Sequence, residues 1–569
     1  MIYINLIFCF LFPVKLFLLF DKKVTQRMLE NDKCKKNSLQ RCYSRLQIFE
    51  VIVYALTWVG LYLYSVKQVF HLSKVYIPEG YRIGDLERRK DYLTSSQPWK
   101  DVHDFEWDLW LYWFYEMTVY AGVGHFIIMR ICEQFKPEYR FHMSALYGIA
   151  FCIYFYGAKG LVILLAQSLL LFSISHQTKN VALTWCAAIT LTLPLISTTT
   201  FDKLREMFDD NDLLTVMYVV MSTMCNLRYI AFSVEHCWSE QNMKASHNIK
   251  EEKHKSKAVK RDIDGNHQSE QKTFLGLTID LILYQFYFPL LSGGPVLNYN
   301  KFAEQIQRPP VTWTFKFFLK YILGILRYIF WQFVVNFLLH FLYFSSINTN
   351  ERLLNRVPLL TLCGLALCFV QFFCMKYMVM YGLPSRIALA DNLDVPGASH
   401  CVSSKHRFTD MWKYFDRGLH FWLVRYIFVP LGGSKDGNGF VRNTINSLIP
   451  FAFVYIWHGA RHEHLVWAGL NWFGIWIEKI ADDLSKTNQI KALEAKYFSP
   501  SVSRRIRAAV STPLFSLLIV SNLYFLAGIT AGNIYMRRIY TEDFVSTLLI
   551  HLVLYLGAQT SMELTRFGF

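Results

Sequence analysis

Residues 454–464 read VYIWHGARHEH and complete the apolar run LIPFAFVYI, so His458 stands where the run ends, with His462 and His464 close behind. An ionisable ring at the end of a long apolar stretch has three readings: a proton-transfer residue, a metal ligand, or a ring that is merely packed. Which one holds depends on whether the run is a membrane segment, where polar groups are costly and therefore functional by default.

Composition answers that first question. The chain has 569 residues, of which 53% are hydrophobic, 17% aromatic and 18% charged. With a positive mean hydropathy as well, this is the signature of an all-α polytopic membrane protein rather than of several soluble domains. Stretches apolar enough to be candidate spans occur at 2–20, 48–66, 109–131, 144–174, 181–198, 213–234, 274–292, 313–344, 357–381, 443–457, 465–477, 512–532 and 544–557. A span needs about 20 apolar residues, and several of these are shorter or broken by Gly, Pro or charge. Those are expected to be tilted or re-entrant, which is tolerated only where the backbone is covered by protein or lines a cavity.

The formal charge of +16 does not imply a nucleic-acid partner. Its excess lies in loops such as DKKVTQRMLENDKCKKNSLQRCYSR (21–45) and NMKASHNIKEEKHKSKAVKRD (242–262), where basic residues orient a membrane protein with those loops in the cytosol. The twelve cysteines include no Cys-x-x-Cys pair, so they give no metal framework.

Four regions follow. Residues 1–46 form an extra hydrophobic segment and a basic stretch. The segment MIYINLIFCFLFPVKLFLLF lacks a positive n-region and is interrupted by Pro13 and Lys15, unlike a clean signal peptide. Residues 47–238 hold the N-terminal spans, 239–272 read as a polar mobile loop, and 273–569 carry the core with Asp416 and His458. No internal repeat is visible, which weakens a transporter built from inverted halves. In YQFYFPLLSGGPVLNYNKFAEQ (284–305), the Pro and paired glycines are expected to break a helix and turn the chain at membrane depth.

Polar residues concentrate in HRFTDMWKYFDRGLHFWLVRYIFVPLGG (406–433). At helical spacing Trp412, Phe415, Leu419, Trp422 and Leu423 form an apolar stripe into which Asp416, Arg417 and His420 bring polar groups. The pattern predicts one amphipathic helix at the interface or facing a wet cavity. Asp416 and His420, four apart, would share a helix face. Arg417 and Arg425 would meet phosphates or a solvated face.

His458 and His462 have the i, i+4 spacing of a histidine box. Membrane di-iron enzymes need several such boxes, and the remaining histidines are isolated, so no di-iron centre is expected. Acid-base chemistry remains: a desolvated histidine takes a proton from a nucleophile at neutral pH, and a thioester needs little else because its thiolate leaves readily. A carboxylate in the same cavity, such as Asp416, would hold an incoming amine.

The segment GGPVLNYNKF, an Asp within a Trp-rich helix and a WHG about forty residues later resemble the membrane-bound O-acyltransferase superfamily. Within it, MWKYFDRGLHFWLVRYIFVPLGG, FAFVYIWHG and WAGLNWFGIWIE are similar to the Hedgehog acyltransferase branch of protein-cysteine N-palmitoyltransferases. DFEWDLW (104–110), LRYIAFSVEHCW (227–238) and YGLPSRIALADNL (381–393) support the likeness, which spans roughly 47–560. The resemblance implies a bundle of about 10–13 transmembrane and re-entrant helices around a central tunnel, in the endoplasmic reticulum or Golgi membrane. It implies transfer of palmitate from palmitoyl-CoA to the N-terminal cysteine amine of a Hedgehog-type signal protein. His458 matches the catalytic histidine and Asp416 the essential aspartate. Asn522 falls beside the reacting carbonyl, Trp412 and Lys413 line the acyl-CoA site, and Trp457 and Arg425 join the substrate-binding set. Cys401 matches the cysteine that ligates a structural haem b, a role resting on resemblance alone. A related branch lacks the catalytic histidine, and this chain keeps it. Residues 1–46 extend beyond the family's usual start.

Three rivals remain: an acyltransferase of the same superfamily acting on a small lipid such as a lysophospholipid, a membrane transporter or scaffold, and a quiet binder of the signal protein that ignores acyl-CoA. Membrane lipids are expected neighbours in every case.

Overall fold

Helix dominates because long apolar stretches in lipid must satisfy every backbone N–H and C=O within the segment, and Gly, Pro and capping residues punctuate their ends. The structure, a computed structural model, describes residues 44–76, 86–88, 99–256, 272–291, 293–401, 405–433 and 439–566. The expected hydrophobic segment 2–20, most of the 1–46 region and residues 257–271 of the polar loop lie outside these. In chain order the elements are α1 (Ile48–Tyr76), a short antiparallel pair β1 (Leu86–Arg88) and β2 (Trp99–Asp101), α2 (Phe105–Trp113), α3 (Ala121–Phe135), α4 (Arg140–Thr178), α5 (Val181–Leu195), α6 (Thr198–Met207), α7 (Asp212–Ser256), α8 (Phe274–Gln285) and α9 (Tyr299–Gln305). There follow α10 (Phe315–Leu338), α11 (Phe344–Asn348), α12 (Glu351–Arg356), α13 (Leu359–Ala390), α14 (Phe408–Phe415), α15 (Arg417–Leu423), α16 (Phe440–Trp457), α17 (His462–Lys486), α18 (Asn488–Tyr497), α19 (Pro500–Tyr540) and α20 (Phe544–Arg566).

Among the described residues, seven helices are long and apolar enough to cross a membrane: α1, α4, α7, α10, α13, α19 and α20. The pair α5 and α6, bent by 64°, makes an eighth if it is one span. The chain is thus an all-α polytopic membrane protein, with fewer full spans than apolar stretches. The stretch 109–131 is divided among α2, a π-helical turn at Phe114–Tyr120 and α3, while 274–292 leaves the helix after Gln285. The polar stretch after 239 also differs from expectation: α7 continues to Ser256, since Glu, Lys and Gln are good helix formers and no Gly or Pro interrupts 239–256.

Helices α7 and α13 are the most enclosed of the spans. Beside them the GGPV stretch runs without helix through a buried environment, as its sequence predicts: Gly294, Pro295, Val296 and Leu297 are all buried. Its polar backbone is met by protein. Arg228 donates to the Gln285 carbonyl at 2.8 Å, and Tyr284 donates to that of Leu297. Such partners are what irregular backbone needs at this depth.

The 406–433 segment is not one helix. It breaks at Asp416 (φ −116°, ψ 86°), whose carboxylate accepts the Leu419 N–H at 2.9 Å and so caps α15. Aspartate competes with the helix for backbone donors and favours such termini. Asp416 and His420 consequently do not form an i, i+4 side-chain pair.

Candidate active site

His458 owes its position to the two residues after it. Helix α16 closes with a Schellman arrangement in which the Gly459 N–H reaches the Ile456 carbonyl (2.9 Å) and the Ala460 N–H reaches that of Tyr455 (3.1 Å). Gly459 has φ +99°, a conformation that favours glycine. The WHG sequence therefore ends the helix at His458, and α17 restarts at His462 on a new axis. His458 and His462 share no helix face; His464 is the histidine that reaches His458, with ring centroids 5.9 Å apart.

Aromatic rings surround the imidazole: Trp457 at 4.7 Å, Phe525 edge-on at 5.0 Å and Trp467 at 6.4 Å. These contacts fix the ring plane. Neither His458 ring nitrogen has a hydrogen-bond partner among the described residues, and the side chain lines a cavity of about 1110 Å³.

That cavity gathers most of the residues picked from sequence: His458, Asp416, Asn522, Trp412 and Trp457 all line it. Trp412 is held by Asn471, which accepts its indole N–H at 2.8 Å, and Trp457 donates to the Thr223 carbonyl at 3.2 Å. Asn522, on α19, is buried; its amide donates to the Leu518 carbonyl at 2.7 Å and has Met411 Sδ at 4.0 Å. Lys413 and Arg425 do not line it. The Lys413 ammonium lies 5.4 Å from the Tyr414 ring centroid. Arg425 is ion-paired with Glu235 and borders a separate cavity of about 400 Å³ with Trp238, Ser239 and Asn242.

Four further lining residues were not among the sequence candidates. Tyr381 donates to Asp416 at 3.3 Å, and Tyr377 donates to Glu106 at 3.1 Å. Glu106 also pairs with Lys376 at 2.8 Å, as does Asp104. His420, the fourth, had been read only as part of a polar pair. Glu106 belongs to the DFEW motif, and the signal that could have found it is a carboxylate pair within an otherwise aromatic helix.

The cavity is long. It is lined by Trp467 and, further along α17, by Lys479, Asp482, Asp483 and Lys486; at 1.5 Å per residue, Trp467 to Lys486 is ~28 Å of helix. One end is thus aromatic, with α2 beside it, and the other is charged. Between them Glu478, on α17, accepts the N–H groups of Phe408 (2.7 Å) and Thr409 (3.1 Å) and caps α14. Burial pushes its carboxyl up to about 7.

Cys401 stands apart from the cavity, half-buried, with its sulfur 3.9 Å from the Gln371 side chain. A single thiolate is suitable axial ligation for a haem iron, so the donor fits. No cluster of three His, Cys, Asp or Glu that could hold a metal ion occurs among the described residues, and the haem assignment gains nothing beyond the thiol.

Comparison with known proteins identifies the chain's relatives. Residues 187–521, more than half the chain, match the MBOAT, membrane-bound O-acyltransferase family. The chain is 29% identical over 494 residues to protein-cysteine N-palmitoyltransferase HHAT of Mus musculus, covering 87% of this chain and 93% of the relative. It is 30% identical over 258 residues to protein-cysteine N-palmitoyltransferase Rasp of Drosophila melanogaster, covering 45% and 50%. Membrane-bound O-acyltransferase GUP1 of Saccharomyces cerevisiae is 24% identical over 365 residues, covering 61% and 62%. A multi-pass helical bundle, a long cavity with a histidine at its aromatic end and a family match across that region lead to one conclusion: this chain belongs to the membrane-bound O-acyltransferase family.

Proposed function

We propose that this protein transfers a palmitoyl group from palmitoyl-CoA to the N-terminal cysteine amine of a Hedgehog-type secreted signal, forming an amide. The observation that carries the reading is the single cavity joining His458, Asp416, Asn522 and Trp412 in a chain similar along most of its length to a protein-cysteine N-palmitoyltransferase.

An N-terminal amine has a pKa of about 7.7–8.0, so the ammonium that predominates at neutral pH first gives one proton to water, and the neutral amine then attacks the thioester carbon and loses a second. His458, which lines the cavity, accepts the proton released as the C–N bond forms; the C–S electron pair leaves on the CoA sulfur. Asp416, fixed by Leu419 and Tyr381, receives the ammonium and orients it. The amide of Asn522 serves the carbonyl oxygen, where a fixed donor stabilises developing charge.

The cavity exceeds the 300–1,000 Å³ or so of a drug-sized site, as a long acyl chain requires. CoA enters at the charged end from the cytosol, and the protein substrate meets it from the lumen, so the cavity serves as a tunnel in the endoplasmic reticulum or Golgi membrane. Trp457 packs against the substrates, Lys413 lies outside the cavity, and Arg425, paired with Glu235, takes no part in holding phosphate. Residues 273–569 form the catalytic core, 47–238 the supporting spans and 239–272 the connection between them. Cys401 would hold a haem b whose role is structural.

The deciding experiment gives the purified protein palmitoyl-CoA with three acceptors: a peptide with a free N-terminal Cys, its N-acetylated form and a lysophospholipid. Amide-linked acylation of the free-amine peptide alone supports the reading. Acylation of the lysolipid instead supports the lipid-acylating alternative that similarity to GUP1 keeps open, and unchanged palmitoyl-CoA with every acceptor makes the protein a binder.

A further inference from the structure

His420 lines the cavity but has no part in the chemistry so far. Its position along the cavity follows from its neighbours. The Asp416 carbonyl accepts the His420 N–H at 2.9 Å, so His420 lies one turn beyond Asp416 on α15. Two residues later Trp422 stacks on Phe453 at 5.2 Å, four residues before Trp457 on α16. Further on, the Leu431 and Gly433 carbonyls accept from Asn446. The 416–433 segment therefore runs alongside α16 away from His458 and toward Asn443, Ser447 and the charged end with Lys479 and Lys486. His420 faces the cavity between the two.

A palmitoyl-CoA whose nucleotide sits at the charged end and whose carbonyl reaches His458 must carry its sulfur on the charged-end side of that carbonyl. This is the His420 side. The ring packs obliquely on Phe421 at 5.8 Å, and neither ring nitrogen has a hydrogen-bond partner among the described residues. A thiolate expelled into an apolar cavity is poorly solvated, unlike one expelled into water, and an unpaired charge there is costly.

We propose that His420 is a further catalytic residue, whose neutral imidazole N–H donates a hydrogen bond to the sulfur of palmitoyl-CoA as the C–S bond breaks. In that step the amine nitrogen bonds to the carbonyl carbon, its proton passes to His458, and the C–S electron pair goes to sulfur. The His420 N–H remains on nitrogen and stabilises the thiolate, which is protonated by water after it leaves. The inference rests on the acyl-transfer reading above.

The test varies the leaving group. His420→Leu keeps bulk and removes the donor; His420→Gln restores one. Each is assayed with palmitoyl-CoA and with a palmitoyl aryl thioester, whose less basic thiolate needs little stabilisation. Removal of one oxyanion-hole donor, which likewise stabilises charge developing in a dry site, lowers kcat by about 10²–10³. We expect a loss of that order for His420→Leu with palmitoyl-CoA, near-wild-type turnover with the aryl thioester, and partial recovery in His420→Gln. Turnover of the aryl donor also demonstrates that the variant is folded. An equal loss with both donors, or no loss with palmitoyl-CoA, overturns the role of His420 while leaving acyl transfer intact. A wild-type protein that amidates the peptide with neither donor overturns both.

Discussion

Gly418→Ala probes how the site is held. A Cβ at Gly418 would lie 2.5 Å from the Val296 carbonyl oxygen and 2.8 Å from its nitrogen. Both atoms are backbone, in the buried GGPV segment whose neighbours are themselves packed, so no side chain can swing aside. To reach even a tight contact, α15 and that segment must separate by about 0.5 Å or more, at an overpacking cost of about 1–3 kcal/mol. The strain falls two residues from Asp416 and two from His420, both cavity-lining. A misplacement approaching 1 Å costs up to about 10²-fold in rate, so we expect a ten- to hundredfold drop in kcat, roughly, with a lower denaturation temperature in detergent. Gly60→Ala in α1 is the matched control, since nothing lies within 4 Å of its Cβ position; it should be neutral or slightly stabilising. Wild-type rate and stability in Gly418→Ala would refute the claim that close backbone contact positions the catalytic segment.

Lys376→Met should destabilise the protein by about 2–4 kcal/mol, because Asp104 and Glu106 would lose their buried cation; the lower part of that range reflects a Glu106 side chain that is 33% exposed. Thermal denaturation of Lys376→Met against Lys376→Met/Glu106→Gln checks this, the double variant recovering part of the loss. Glu478, raised to about 7 from 4.5, binds its proton more readily folded than unfolded. Its contribution to stability is therefore fully present below the ordinary carboxylate value and lost as pH rises through about 7. Glu478→Gln should flatten the slope of denaturation temperature against pH across that window, and an unchanged slope would show that another group sets it.

Part of the site was legible because membrane-depth polarity is rare: His458 and Asp416 stand out against apolar neighbours, whereas Asn522 came from the family resemblance alone, and one cavity is lined by all three. The break at GGPV was legible too, since Gly and Pro announce it locally. Tertiary context hid the rest. Nothing in WHGA says that His464 rather than His462 returns to His458, because that depends on the new axis of α17. Helical spacing likewise paired Asp416 with His420, whereas the aspartate turned its carboxylate onto the Leu419 N–H and ended the helix. Arg425 reads as a phosphate ligand until Glu235, 190 residues away, is found beside it. Several apolar stretches read as too short or too broken for a simple span, and among the described residues α8 is such a case, a twelve-residue apolar helix.

The most direct test of the account is the initial rate of amide formation in wild-type and His458→Ala protein, measured with saturating palmitoyl-CoA and the free-amine Cys peptide, alongside binding of palmitoyl-CoA to each. Loss of a positioned general base should lower kcat by about 10²–10⁴, with acyl-CoA affinity changed by no more than about threefold. A His458→Ala protein that forms the amide at close to the wild-type rate would contradict the account and leave the ring of WHG as a packed residue.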